Sequence, residues 1–169
     1  MTETRTAVVK ERALPCPPEV AFALFTDRIS EWWPVVPHSV AGRRVASVTV
    51  EPLEGGFVYE TDDAGVRRDW ATVLRYDVPR TLVLDWYPGR SPAEATRVEV
   101  TFAESGDGCL LRLTHSGWTD DAADRRDSYD AGWDLVLDAL AAARSSSKPP
   151  PTTSATARSR ARVMSATVR

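Results

Sequence analysis

Residues 110–118 read LLRLTHSGW and residues 129–140 read YDAGWDLVLDAL, and the passage from the first stretch to the second decides the fold. In the first, Leu111, Leu113 and His115 alternate with Leu110, Arg112 and Thr114, the period of a strand with one apolar face. In the second, Tyr129, Trp133, Val136, Leu137 and Leu140 recur at i, i+4, i+7, i+8 and i+11, a broad apolar stripe on one long helix. A wide sheet that ends in a single helix can lay it across its concave face. The space between them becomes a core or a pocket.

Upstream, residues 6–14 read as a first strand closed by Pro15, Pro17 and Pro18. Those prolines open a short helix over 19–26, since proline suits a first helical turn and Glu19 suits its positive end. Val20, Phe22, Ala23, Leu24 and Phe25 make it apolar on most sides. SEWWP at 30–34 adds another helical turn, stopped at Pro34. Short strands follow at 45–51, 57–61, 67–76, 81–87, 97–104 and 109–115, separated by turn signals such as DDAG at 62–65 and SGDG at 105–108. No helix alternates with each strand. That excludes a doubly wound parallel sheet and predicts an α+β fold with an antiparallel sheet. The acids between Asp120 and Asp127 suit the first turn of the long helix, which explains them without metal binding.

Composition bounds the rest. Of 169 residues, 21 are basic and 24 acidic. Lys148, Arg158, Arg160, Arg162 and Arg169 all lie beyond Arg144 with no acid among them. The first 144 residues are therefore distinctly acidic, which argues against nucleic-acid binding by the folded domain. A body of that size buries roughly 68–70% of its unfolded surface and needs no staples. Two cysteines without CxxC spacing predict neither a metal site nor a disulfide framework, and no cofactor motif is present. The N-terminus lacks a signal-like apolar segment, and no apolar run reaches a membrane span of about 18 residues. The expectation is a cytoplasmic protein, monomer or homodimer. Its domain would span 1–144, with a disordered Ser/Thr/Pro/Arg-rich basic tail over 145–169.

PPEVAFALFTD at 17–27 followed by EWWP at 31–34, GGFVYE at 55–60, WATVLRYDVPRTLVLDW at 70–86, TRVEVTF at 96–102 and the two opening stretches form an ordered set. In that order they resemble the START-like (SRPBCC) superfamily. Within it the chain is similar to the family related to the C-terminal domain of the heat-shock-protein-90 ATPase activator. The resemblance implies a helix-grip fold: a curved antiparallel sheet wrapped around a long C-terminal helix, with short helices after the first strand. It also implies a cavity for lipids, sterols, polyketides or other apolar molecules, and cyclase or hydrolase activity in some members. The co-chaperone carries a further N-terminal domain for its chaperone contact, to which nothing in these residues corresponds.

Alternation then nominates the residues of such a site. Trp70, Thr72, Leu74 and Tyr76, then Leu82, Leu84 and Trp86, then Val98, Val100 and Phe102, should share the face of Leu113 and His115. A single bulge would invert part of that set. Phe22, Phe25, Trp32, Trp33, Trp133 and Leu137 would close it from the helices. The ligand-binding expectation therefore rests on Phe25, Trp33, Trp70, Leu74, Leu84, Trp86, Val100, Leu113, His115, Trp133 and Leu137. The competing expectation is that these side chains simply fill the core.

His115 is the one catalytic candidate, as a buried imidazole that could orient a carbonyl or act as general base. A core histidine with satisfied partners is the plainer expectation. His38, beside Pro37, reads as an exposed loop residue, and Glu60 and Asp85 as acids near strand ends. The favoured function is binding of a small apolar ligand rather than catalysis. A cyclase- or aromatase-like enzyme using His115 is the first alternative. A protein-interaction or chaperone-linked module is the second, and it predicts an exposed aromatic patch at Trp32, Trp33 or Trp118.

Overall fold

Each strand forms where apolar and polar residues alternate, and each ends where glycine, proline or aspartate breaks the alternation. The computed structural model describes residues 7–119 and 122–146. Strand β1 (Val8–Leu14) leads into helix α1 (Pro18–Phe25), followed by 3-10 turns at Ile29–Glu31 and Gly42–Arg44. Strands β2 (Val45–Val50), β3 (Phe57–Asp62), β4 (Arg67–Asp77), β5 (Thr81–Trp86), β6 (Thr96–Ser105) and β7 (Gly108–Ser116) follow, and helix α2 (Ala123–Ser146) ends the described chain. The sheet order is β1-β7-β6-β5-β4-β3-β2, with every pair antiparallel. This is an α+β helix-grip fold, a curled seven-stranded sheet around its C-terminal helix.

Helix α1 starts at Pro18, with Glu19 in its first turn and the extended Pro17 as its cap. Thr26 closes it by donating its hydroxyl to the Phe22 carbonyl at 2.7 Å. Ala21, Phe22, Leu24 and Phe25 are buried, whereas Val20 is exposed, so the helix is less enclosed than its composition predicts. Helix α2 runs two residues past the expected boundary at 144. The tail beyond it lies outside the described residues.

The inner faces follow the alternation on β5, β6 and β7. Leu82, Leu84 and Trp86, then Val98, Val100 and Phe102, then Leu111, Leu113 and His115 are all buried, under Trp133, Val136, Leu137 and Leu140 of α2. The inner row of β1 includes Lys10 and Arg12, which meet an acidic ladder on the helix. Lys10 lies 2.8 Å from Asp130 and 3.1 Å from Asp134, and Arg12 lies 3.3 Å from Asp134 and 3.1 Å from Asp138. Acids spaced four apart share one helical face, so the ladder fixes the rotation of α2. Each such pair adds at most about 1 kcal/mol; the buried apolar rows carry the stability.

Strand β4 departs from the expectation. Trp70 is an extra residue opposite Val58 and Tyr59, and Leu74 is an extra residue opposite Val83 and Leu84. The first bulge makes Trp70 and Ala71 consecutive buried residues and thereby turns Val73 inward; the second leaves Leu74 36% exposed and returns Tyr76 to the inner side. Leu74 therefore does not face the helix. Thr72 is also off the inner row, with its hydroxyl 2.8 Å from that of Tyr87. A bulge shifts every later side chain to the opposite face, which is why strict alternation misplaced both.

Candidate functional site: a tryptophan-walled cavity

Four indoles from four elements meet at one end of the sheet. Trp33 follows the first 3-10 turn, Trp70 sits on the first bulge of β4, Trp86 ends β5 and Trp133 belongs to α2. Ring centroids of Trp33 lie 5.2 Å from Trp70, 6.1 Å from Trp86 and 6.0 Å from Trp133. Tyr129 stacks on Trp133 one turn earlier along the helix. Beside these rings is a cavity of about 300 Å³, completed by Pro37, His38, Ser39, Val40, Pro88, Ser128, Gly132 and Val136. Pro37, Val40 and Ser128 are exposed, so the cavity opens to solvent along that rim.

Every indole N–H in the wall is already used. Trp33 donates to the His38 carbonyl at 2.7 Å, Trp70 to Glu60 Oε1 at 2.7 Å, Trp86 to the Tyr129 hydroxyl at 3.1 Å, and Trp133 to His115 Nδ1 at 3.0 Å. A buried donor left unpaired would cost about 1–3 kcal/mol, so these bonds fix each ring. What these four rings present to the cavity is aromatic carbon.

Glu60 holds the wall from behind. Its carboxylate is fully buried and accepts the N–H groups of Val40 at 2.8 Å and Ala41 at 2.8 Å as well as the Trp70 indole. The loop at 34–42 is further closed by Ser39, which donates to the Val35 carbonyl and accepts the Gly42 N–H. Glu60 is thus a structural clamp, set two residues before the end of β3. Next to it, Asp62 accepts from Arg68 and from the N–H groups of Val66 and Ala64. The Arg68 hydrogen bond above all holds its carboxyl down to about 2.

His115 is closed off from the cavity. Trp133 can only donate, so Nδ1 carries the lone pair and Nε2 carries the hydrogen, which points to Thr96 Oγ1 at 2.6 Å. Trp118 and Tyr129 cover the ring, with centroids 4.3 Å and 4.8 Å away. Burial first, and the nearby Arg125 second, push its imidazole down to about 3. A neutral imidazole with both nitrogens occupied orients Trp133; it has no free lone pair for a substrate proton. The general-base expectation for His115 fails on that geometry.

His38 reverses its expectation in the other direction. It lines the cavity, half-buried, and its Nε2 is enclosed without a hydrogen-bond partner. Burial lowers its imidazole below the ordinary histidine range. Its ring lies over Gly132, where an added Cβ would sit 3.1 Å from Cε1.

Of the residues nominated from the sequence, Trp33, Trp70, Trp86 and Trp133 are brought together around the cavity. Phe25, Leu84, Val100, Leu113 and Leu137 are buried core away from its lining, and Leu74 is on the outer side. Trp32, Trp33 and Trp118 are each 7% exposed, so the aromatic surface patch that an interaction module requires is not formed there. Among the described residues no cluster of three or more His, Cys, Asp or Glu could hold a metal, and no helix is long and apolar enough to cross a membrane.

Known proteins share this architecture. MLL2253 from Mesorhizobium loti superposes with a TM-score of 0.63 at 22% identity, over 85% of this chain and 99% of its own. The Aha1 dimer from Colwellia psychrerythraea gives 0.63 at 16% identity, over 81% and 94%. DynU16, from the dynemicin biosynthetic locus, gives 0.60 at 17%, over 85% of this chain but 49% of its own. At such identities the likeness concerns the fold. No curated protein matches the chain. Residues 15–144 match the family model described as "Activator of Hsp90 ATPase homolog 1-like protein", and by that match the chain belongs to this family.

Proposed function

We propose that the protein binds a small, largely aromatic molecule in the tryptophan-walled cavity between the end of the sheet and helix α2. The observation that carries this reading is the internal use of all four indole N–H groups. These four rings offer carbon surface to a guest and ask for no polar partner in return. Apolar surface removed from water contributes about 25 cal/mol per Å², and aromatic pairs add about 0.5–1.5 kcal/mol beyond area. The volume lies at the lower end of the roughly 300–1,000 Å³ typical of small-molecule sites. That favours a compact ring system over a whole sterol or long acyl chain.

Turnover through His115 is not favoured, because that ring is enclosed and its two nitrogens are bonded. An interaction module is likewise disfavoured by the burial of Trp32, Trp33 and Trp118. The test is native mass spectrometry of the purified protein, joined to tryptophan fluorescence titrations with two-ring aromatics, fatty acids and sterols. Saturable change with the aromatics, weaker with fatty acids and sterols, is the expected result. No saturable change with any class would remove the binding reading.

A further inference from the structure

The cavity's polar inventory is short enough to specify a functional group. Tyr129 Oη accepts from Trp86 but keeps its own hydrogen, and no acceptor takes that hydrogen among the described residues. Burial raises the Tyr129 phenol above its usual range, so at neutral pH it stays a donor. His38 Nε2 is enclosed and unpartnered. Ser39 is already both donor and acceptor within its own loop. Tyr129 and Gly132 are three residues apart and so adjacent on the face of α2, and His38 rests on Gly132. His38 and Tyr129 therefore line the same cavity, and the remaining hydroxyl of its lining, Ser128, lies exposed at the rim.

We infer that His38 and Tyr129 together select a neutral hydroxyl on an aromatic ligand, a phenol or its enol equivalent. This rests on the binding role proposed above for the same cavity. A hydroxyl accepts from Tyr129 Oη–H and donates to His38 Nε2; if the other histidine tautomer is present, its second lone pair accepts there instead. A methyl group in the same place leaves both protein groups unpaired. A carboxylate is opposed as well. No Lys or Arg lines the cavity, and the Glu60 carboxylate lies behind Trp70 and Val40 with no cation paired to it among the described residues. Arg90, near the rim, is paired with Glu94, and Arg125 lies over Trp118.

The experiment is calorimetric titration of the whole chain with 2-naphthol, 2-methylnaphthalene and 2-naphthoate. These share one ring system and differ at a single substituent. Wild type should prefer 2-naphthol to 2-methylnaphthalene by roughly 3- to 10-fold, the range of about one net hydrogen bond, and 2-naphthoate should be the weakest. In His38→Leu the preference should fall toward unity while 2-methylnaphthalene still binds. Because the preference is a ratio within each protein, general loss of stability cancels from it. If His38→Leu does not fold, Tyr129→Phe gives the same ratio test. Equal or tighter binding of 2-methylnaphthalene or 2-naphthoate to wild type would overturn the hydroxyl assignment and leave the cavity reading standing. Retention of the full preference in the variant would also overturn it. Binding of none of the three would overturn both.

Discussion

The two ends of the space under helix α2 are built from the same kind of residue and have opposite outcomes. At the α1 end, Phe22 meets Tyr76 and Phe102 edge-on, with centroids 5.2 Å and 5.3 Å apart, and Phe25 reaches Phe102 at 6.1 Å. These rings carry few polar atoms and pack on one another; an open groove outside them, lined by Pro18, Glu19, Arg80, Thr101 and Glu104, touches only Phe102 among these rings. At the other end, each indole must point its N–H at a specific acceptor. Satisfying Trp33, Trp70, Trp86 and Trp133 in four directions holds the rings at fixed tilts, and they do not collapse onto one another. Aromatic content alone therefore does not decide between core and cavity. At the cavity, the polar handle on each ring sets its tilt.

If the Phe22 end is a close-packed core, Phe22→Ala should cost about 3–5 kcal/mol, read by urea denaturation, while leaving the relative affinities for aromatic probes unchanged. A cost below about 1 kcal/mol would mean that this end is loose too, and the contrast would disappear.

The second expected effect concerns the histidine that fixes the open end. Ordinary histidine titrates near 6.5, and His115 in the fold is pushed down to about 3. Above pH 6.5 both folded and unfolded states are neutral there, with no penalty. Below it the unfolded chain takes up a proton that the folded chain refuses, so stability falls with pH until about 3. The accumulated loss is a few kcal/mol. His38 acts in the same direction, and Asp62 adds its own loss only below about pH 4. Denaturation at a series of pH values should show the slope between 6.5 and 4 in wild type and a much shallower slope in His115→Asn. An unchanged slope would show that His115 is protonated in the fold, and the Trp133 bond would have to be redrawn.

Most of the scaffold was legible in the sequence because strand alternation and the α2 stripe are local signals. The inner rows of β5, β6 and β7 came out as expected from alternation alone. Leu74 did not, because a bulge is set by the pairing of two strands and leaves no local mark in either. His115 was correctly placed on the inward row. Whether it faced a ligand depended on the Trp133 N–H and the Thr96 hydroxyl, which lie in distant segments. His38 was missed because its environment is made by a loop folding back onto α2. One signal bears on it: Gly132 interrupts a helical apolar stripe at a cost of about 1 kcal/mol against alanine, and the space it leaves is where the His38 ring packs.

The Glu60 clamp offers a test of the open end that needs no ligand. Glu60→Gln keeps the shape but sets an amide N–H₂ against one of the N–H groups it now satisfies. The cost should be about 1–3 kcal/mol. Hydrogen exchange should rise selectively at Val40 and Ala41, with the Phe22 end unaffected. Uniform acceleration across the sheet would mean that Glu60 supports the whole fold rather than the cavity wall.

The smallest expected change in stability is also the most discriminating. Gly132→Ala gains up to about 1 kcal/mol of helix propensity, yet its Cβ would press within 3.1 Å of His38 Cε1. Backbone on the α2 side cannot yield, but the half-buried imidazole can move toward the cavity. The two terms nearly offset, so the melting temperature should change little while affinity for 2-naphthol drops, because the displaced ring occupies the guest's space. A variant that is stabilised and binds as wild type does would show that the His38 ring has room to spare. The wall would then be softer than the four indole hydrogen bonds make it, and the difference between the two ends would be one of degree.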